Sequence, residues 1–122
     1  MMLLDTNALI WLAHGHRRAR PLAKGQLRLH VSPATLLEVQ LLIEGGRIRL
    51  TRGSLDALAE DPRWTVDAPS SEVWFRRAWD LSWTRDPFDR LIVAHARLRR
   101  WRLATGDDAL LERLGTAECL PL

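Results

Sequence analysis

Short apolar runs alternate with longer helical patterns along this chain. Met2-Leu3-Leu4 reads as a buried strand running into Asp5, so that residues 2–5 form the first extended piece. Residues 6–14 read as a helix with Leu9, Leu12 and Ala13 on one side, ended by His14-Gly15-His16. A basic segment, 17–25, reads as partly helical. Leu27-Arg28-Leu29-His30-Val31 alternates apolar and polar positions, as a strand does. Ser32-Pro33 then opens a helix, with serine as cap and proline in the first turn. It runs to about Glu44, where Gly45-Gly46 stops it.

Residues 47–50 form at most a short extended piece. A helix around 54–60, closed by Asp61-Pro62, precedes a strand at Trp64-Thr65-Val66. Pro69-Ser70-Ser71 opens a helix through about Leu81. The longest helical pattern starts at Asp86-Pro87 and runs to about Trp101, with Phe88, Leu91, Ile92, Ala94 and Leu98 on one face. Leu103-Ala104-Thr105 reads as a strand, Asp108 to Leu114 as a short helix, and Glu118 to Leu120 as a last strand. Strands alternating with helices predict the α/β class: a central parallel sheet with helices on both faces, in three layers. The 122 residues suit a single domain spanning 1–122, and no repeat or linker interrupts them.

Composition narrows the setting. Cys119 is the only cysteine, so no disulfide forms within the chain, which suits a reducing cytosol. The apolar run Ala8 to Ala13 is too short to cross a bilayer, and no basic residue precedes it as a signal peptide requires. A cytoplasmic protein with no membrane association is expected. The formal charge of +3 says little, but Lys24 is the only lysine among 18 basic residues. Arginine offers a planar fork for phosphate; a GC-rich genome explains the bias equally well. The arginines cluster at 17, 18 and 20, at 47, 49 and 52, and at 97, 99, 100 and 102. Such clusters matter for nucleic acid only if they flank a site.

The candidate chemistry lies in four acids at strand ends or helix starts: Asp5, Glu38, Asp89 and Asp107. In an open parallel sheet the carboxyl ends of the strands share one edge, where ligands bind. Acids gathered there repel one another unless a cation neutralises them, which points to a divalent metal and a phosphate-bearing substrate. Each acid also has a plainer reading. Asp5, Asp86 and Asp107 suit helix caps, and Asp89 suits the first turn after Asp86. Glu38 lies inside an apolar helix, where capping does not apply, and reads otherwise as a side chain snorkelling from a buried face. His14 and His16 lack partners at zinc-like spacing, and His95, in mid-helix, reads as packed rather than catalytic. Ser32 has no His or acid beside it in sequence to make a nucleophile. The six tryptophans read mainly as core or interface anchors.

Four segments together resemble a known family. Leu3-Leu4-Asp5-Thr6-Asn7-Ala8-Leu9-Ile10-Trp11 is similar to the opening of PIN-domain proteins, and Val31-Ser32-Pro33-Ala34-Thr35-Leu36-Leu37-Glu38-Val39 to their second motif. Arg85-Asp86-Pro87-Phe88-Asp89-Arg90-Leu91-Ile92-Val93-Ala94-His95-Ala96 resembles the third, in the form found in VapC-type toxins. Leu103-Ala104-Thr105-Gly106-Asp107 resembles the fourth. The resemblance implies a PIN-like fold and a ribonuclease dependent on Mg²⁺ or Mn²⁺. Asp5, Glu38, Asp89 and Asp107 would be the catalytic and metal-binding quartet, supported by Asn7, Asp86 and Thr105. It further implies an RNA substrate, a cognate antitoxin and a homodimer. Two departures stand out: Ser82-Trp83-Thr84-Arg85 lacks the histidines frequent before the third motif, and Gly106 stands where a larger residue is common.

Other functions remain in competition. A housekeeping RNA-processing PIN nuclease would carry the same acids. A non-catalytic PIN binding module is disfavoured by the full quartet. A phosphoacceptor signalling domain needs a lysine at a late strand end, and Lys24 falls before the second strand.

Overall fold

The computed structural model describes residues 1–24, 26–51 and 53–122. Gly25, the end of the expected basic segment, and Arg52, a member of the second arginine cluster, lie outside the described residues. Five short strands form one parallel sheet: β1 (Met2–Leu4), β2 (Leu29–Val31), β3 (Trp64–Val66), β4 (Arg102–Thr105) and β5 (Cys119–Pro121). Their spatial order is β3-β2-β1-β4-β5. The chain therefore builds outwards from β1 on one side, then returns to its other side with β4. That reversal leaves a crevice at the carboxyl ends of β1 and β4, where open α/β sheets bind ligands.

The helices are α1 (Thr6–Ala13), α2 (Pro33–Glu44), α3 (Leu55–Ala59), α4 (Ser71–Trp79), α5 (Pro87–Arg99) and α6 (Asp108–Glu118), with a 3₁₀ segment at Arg17–Ala23. Alternate strand residues feed opposite layers. Leu3 and Leu103 pack with Trp74, Ile92, Val93 and Leu110 from α4, α5 and α6. Met2, Leu4, Val31 and Ala104 pack on the other face with Leu9, Leu22 and Leu58. Both faces are thus covered, as a parallel sheet requires. Among the described residues, no helix is long and apolar enough to cross a membrane.

Residues 47–50, expected as at most a short extended piece, form no strand; Ile48 and Leu50 pack in the layer that holds Leu58 of α3. Helix ends differ from expectation. The long helix ends at Arg99 rather than near 101, because Arg100 takes the left-handed conformation (φ 59°). This frees Trp101 to turn back and stack on His30 in β2, with ring centroids 4.1 Å apart. The last helix continues past Leu114 to Glu118, broken at Gly115, whose φ of 74° suits glycine.

Candidate active site

Strand register sets up the crevice. Leu4 pairs with Ala104, so the next residue on each strand, Asp5 and Thr105, is placed at the same level. The Asp5 backbone N–H donates to the Ala104 carbonyl at 3.1 Å. Its carboxylate caps α1, with Oδ1 accepting from the Ala8 N–H at 2.8 Å. Only 7% of Asp5 is exposed. Burial pushes its carboxyl up to about 6, against hydrogen bonds from Thr105 and Ala8, and the Asp107 and Glu38 charges push the same way.

The other acids arrive by three routes. Asp86 caps α5, its Oδ1 accepting from the Phe88 and Asp89 N–H groups at 2.8 and 3.2 Å. Asp89 follows in the first turn. Burial, then the charges of Asp86, Asp107, Glu38 and Asp5, push its carboxyl up to about 7. Asp107 caps α6 through Leu110 N–H at 3.1 Å, while its own N–H donates to Thr105 Oγ1 at 3.0 Å. Glu38 comes from α2, half-buried, with Oε1 accepting from the Thr6 hydroxyl. Burial raises its carboxyl, the Thr6 hydrogen bond opposes this, and Asp86 adds to it.

The capping and site readings therefore coexist. Asp5, Asp86 and Asp107 each cap a helix with Oδ1, and all three helices begin at the same edge. The positive ends of those helices offset part of the carboxylate charge. Of the supporting residues, Thr105 is fully buried beneath the acids, and Asn7 is exposed in the first turn of α1.

An all-oxygen set of this kind suits a hard divalent cation, which would relieve the mutual repulsion. Among the described residues, however, no three acids, histidines or cysteines lie close enough to hold an ion directly. The carboxylates sense one another's charge without being drawn to ligand spacing. The fit to a metal thus rests on donor chemistry and coupling.

Sequence comparison matches residues 2–116 to the PIN domain. The chain belongs to the PIN-domain family. Solved PIN-like structures agree. A chain of a toxin–antitoxin complex from Klebsiella pneumoniae superposes with a TM-score of 0.69 at 25% identity, covering 98% of this chain and 96% of that one. VapC20 of Mycobacterium tuberculosis, a toxin that cleaves the sarcin-ricin loop, gives 0.70 at 16% identity, covering 96% and 98%. FitAcB of Neisseria gonorrhoeae gives 0.52 at 20% identity, covering 88% of each chain. No curated protein matches significantly.

The arginine clusters of this PIN domain divide between structure and site. Arg97 pairs with Glu118, Arg99 with Asp67, and Arg102 donates to the Thr116 and Cys119 carbonyls. These lie at the end of α5 away from Asp86 and Asp89 and are engaged in holding the fold. Arg18, from the first cluster, does reach the crevice, donating to the Gly106 carbonyl beside Asp107. Arg90, although next to Asp89, turns away to the Thr84 and Trp79 carbonyls. Sequence reasoning does not single out Thr6. Its place between Asp5 and Asn7 in the first motif is the available signal, but its partner lies 32 residues away. A surface hollow of about 700 Å³ near His14, Leu50, Asp61 and Arg63 contains none of the β1/β4-edge acids.

Proposed function

We propose that this PIN domain is a metal-dependent endoribonuclease and the toxin of a toxin–antitoxin pair. The observation that carries the nuclease reading is the crevice at the β1/β4 reversal, where Asp5 and Asp89 sit among further acids with their proton affinities raised. Mg²⁺ or Mn²⁺, when bound, supplies an activated water near neutral pH and neutralises charge on the scissile phosphate. Asp5, Glu38, Asp89 and Asp107 would hold it. Asp86 adds negative charge at the rim, while the Thr6 and Thr105 hydroxyls orient Glu38 and Asp5. RNA is the substrate class proposed, by likeness to a toxin that cleaves the sarcin-ricin loop. The test is cleavage of total RNA by the purified protein in Mn²⁺ or Mg²⁺ and in EDTA. No cleavage in either metal would sink the nuclease reading.

The partner reading is supported by likeness to a chain of a toxin–antitoxin complex. A basic side chain from an antitoxin tail would pair with Asp5, Asp89 or Asp107 and exclude metal. Leu37 and Leu41, one turn apart on α2, are 55% and 47% exposed and would supply its apolar contact. For the expected homodimer, α4 is proposed as the contact: Phe75 and Trp79 are exposed there, beside the Glu72–Arg76 ion pair. Trp79→Glu should give a monomer by light scattering; an unchanged mass would remove α4 from the interface. Growth arrest on expression alone, relieved by the adjacent small open reading frame with copurification, is expected of a toxin. Harmless expression of an active enzyme without a copurifying partner would favour the housekeeping nuclease.

A further inference from the structure

Among the described residues the glycines with positive φ are Gly15, Gly46, Gly53 and Gly115, and Gly106 is not one of them. It is glycine for want of space. A Cβ there would lie 2.6 Å from Arg18 Nη2 and 2.6 and 2.8 Å from Trp11 Cη2 and Cζ3. Arg18 Cζ lies over the Trp11 ring, 4.2 Å from the ring centroid. Its Nη2 donates to the Gly106 carbonyl at 3.4 Å and, more closely, to the Leu122 main-chain oxygen at 3.0 Å. His16 stacks near the same indole at 5.8 Å and orders the 3₁₀ segment by accepting from Arg18 N–H at 3.1 Å.

These contacts join four pieces of chain. Trp11 belongs to α1, the helix that Asp5 caps. Gly106 immediately precedes Asp107, which caps α6. Leu122 is tied to the same turn, its N–H donating to the Thr105 carbonyl at 3.0 Å. Asp107 itself is exposed, so its place depends on its backbone turn. We propose that Arg18, stacked on Trp11, is a positioning residue that clasps the Gly106 turn and fixes Asp107 relative to Asp5. The clasp needs a planar group that stacks on an indole while its N–H groups reach two main-chain oxygens. Guanidinium does this and ammonium does not.

This inference rests on the nuclease reading of the acids. Its rival is that Arg18 simply grips the RNA backbone. The experiment compares wild type, Arg18→Ala, Arg18→Lys and Trp11→Phe in RNA cleavage at several salt concentrations, with amide hydrogen exchange at Asp107 and Leu110. Positioning predicts that both Arg18 variants lose roughly 10- to 100-fold in kcat, as small misplacements do, with KM and its salt dependence unchanged. It also predicts faster exchange at both amides, whereas Trp11→Phe, which keeps an aromatic face, retains most activity. Phosphate gripping predicts instead a raised KM, a shallower salt slope, rescue by lysine and unchanged exchange; that result overturns the proposal. Unchanged melting curves would show that the variants remain folded, and Trp11→Phe provides a second reading if an Arg18 variant does not. A wild type that cleaves no RNA in Mn²⁺ would remove the nuclease reading itself. An active wild type indifferent to Arg18 would remove only the clasp.

Discussion

Asp5 and Asp67 each stand directly after a strand of the same parallel sheet, yet the protein treats their charges in opposite ways. Asp67, after β3, accepts from Arg99 Nε at 2.9 Å and Nη2 at 3.3 Å, and meets His95 Nε2 at 2.7 Å. Burial alone would raise its carboxyl, but those donors outweigh it and hold Asp67 below the usual range. His95 is fully buried, and burial lowers its proton affinity, so a neutral ring donating from Nε2 accounts for the contact. At the β1/β4 edge the acids have only neutral side-chain donors, Thr6 and Thr105. Among the described residues no ion pair reaches Asp5, Glu38, Asp86, Asp89 or Asp107. A carboxylate that serves the fold is given a cation by the fold. The carboxylates left without one at the β1/β4 edge are those proposed above to take a cation from outside.

Matched substitutions give the largest expected contrast. Asp89→Asn keeps the shape but removes one repelling charge, so cleavage should fall to background while the metal-free protein melts at the same temperature or higher. Asp67→Asn should do the reverse. It leaves Arg99 and His95 poorly partnered, at a cost of about 1–3 kcal/mol, with activity per folded molecule retained. Melting curves in EDTA and RNA cleavage, measured on both variants, check this. Full activity in the Asp89→Asn variant would remove Asp89 from the reaction; instability of that variant would make the role of Asp89 structural, like that of Asp67.

Metal binding should separate the regions again. Mn²⁺ at about 100 times its dissociation constant would stabilise the folded protein by about 2.7 kcal/mol. The shift should persist in Asp67→Asn and vanish when Asp5 and Asp89 are both replaced by asparagine. Equal shifts in all three proteins would place the metal elsewhere.

The pH dependence of metal-free stability carries opposite signs from the two regions. Asp5 and Asp89 have raised folded-state values, so the native edge binds more protons than the unfolded chain. Their effect favours folding below the ordinary aspartate value near 3.8 and is lost as pH rises through about 6 and then about 7. Asp67 is lowered, so its contribution is present above the ordinary value and lost as pH falls through the folded one. Chemical denaturation in EDTA should show Asp89→Asn flattening the decline between about pH 5 and 7.5. Asp67→Asn should leave that decline in place and change only the acid side. A wild-type curve rising across that range would contradict the assignment at the edge.

How much of this was legible in the sequence follows from the range of each interaction. Ser32-Pro33, Asp86-Pro87 and Asp5 announce helix starts because a cap acts within about three residues. The same local signals marked Asp5, Asp86 and Asp107, but not Glu38, which lies inside α2. Arg100 was not legible, since its left-handed turn goes with a contact distant in sequence, Trp101 stacked on His30. Residues 47–50, at most an extended piece by sequence, gain no strand partner, because among the described residues the sheet ends at β3. The destinations of Arg90, Arg97 and Arg99 were equally hidden. The same arginine fork suits a phosphate, a carbonyl or Asp67, and only the topology decides among them.

Thr6 provides the smallest and most specific test of the comparison. At the acid edge its hydroxyl does weakly for Glu38 what the Arg99 guanidinium does strongly for Asp67. Thr6→Val keeps the shape and β-branching but leaves Glu38 without that donor. The Glu38 carboxyl, already raised by burial, should rise further. Stability should fall by about 1 kcal/mol, the usual worth of one hydrogen bond, and cleavage should weaken without disappearing. Thr6→Ser restores the hydroxyl and should recover both. Failure of serine to recover activity would assign the loss to packing, because Thr6 is also buried against the core. Full activity in the valine variant would show that Glu38 needs no orienting donor, and that Thr6 serves α1 alone.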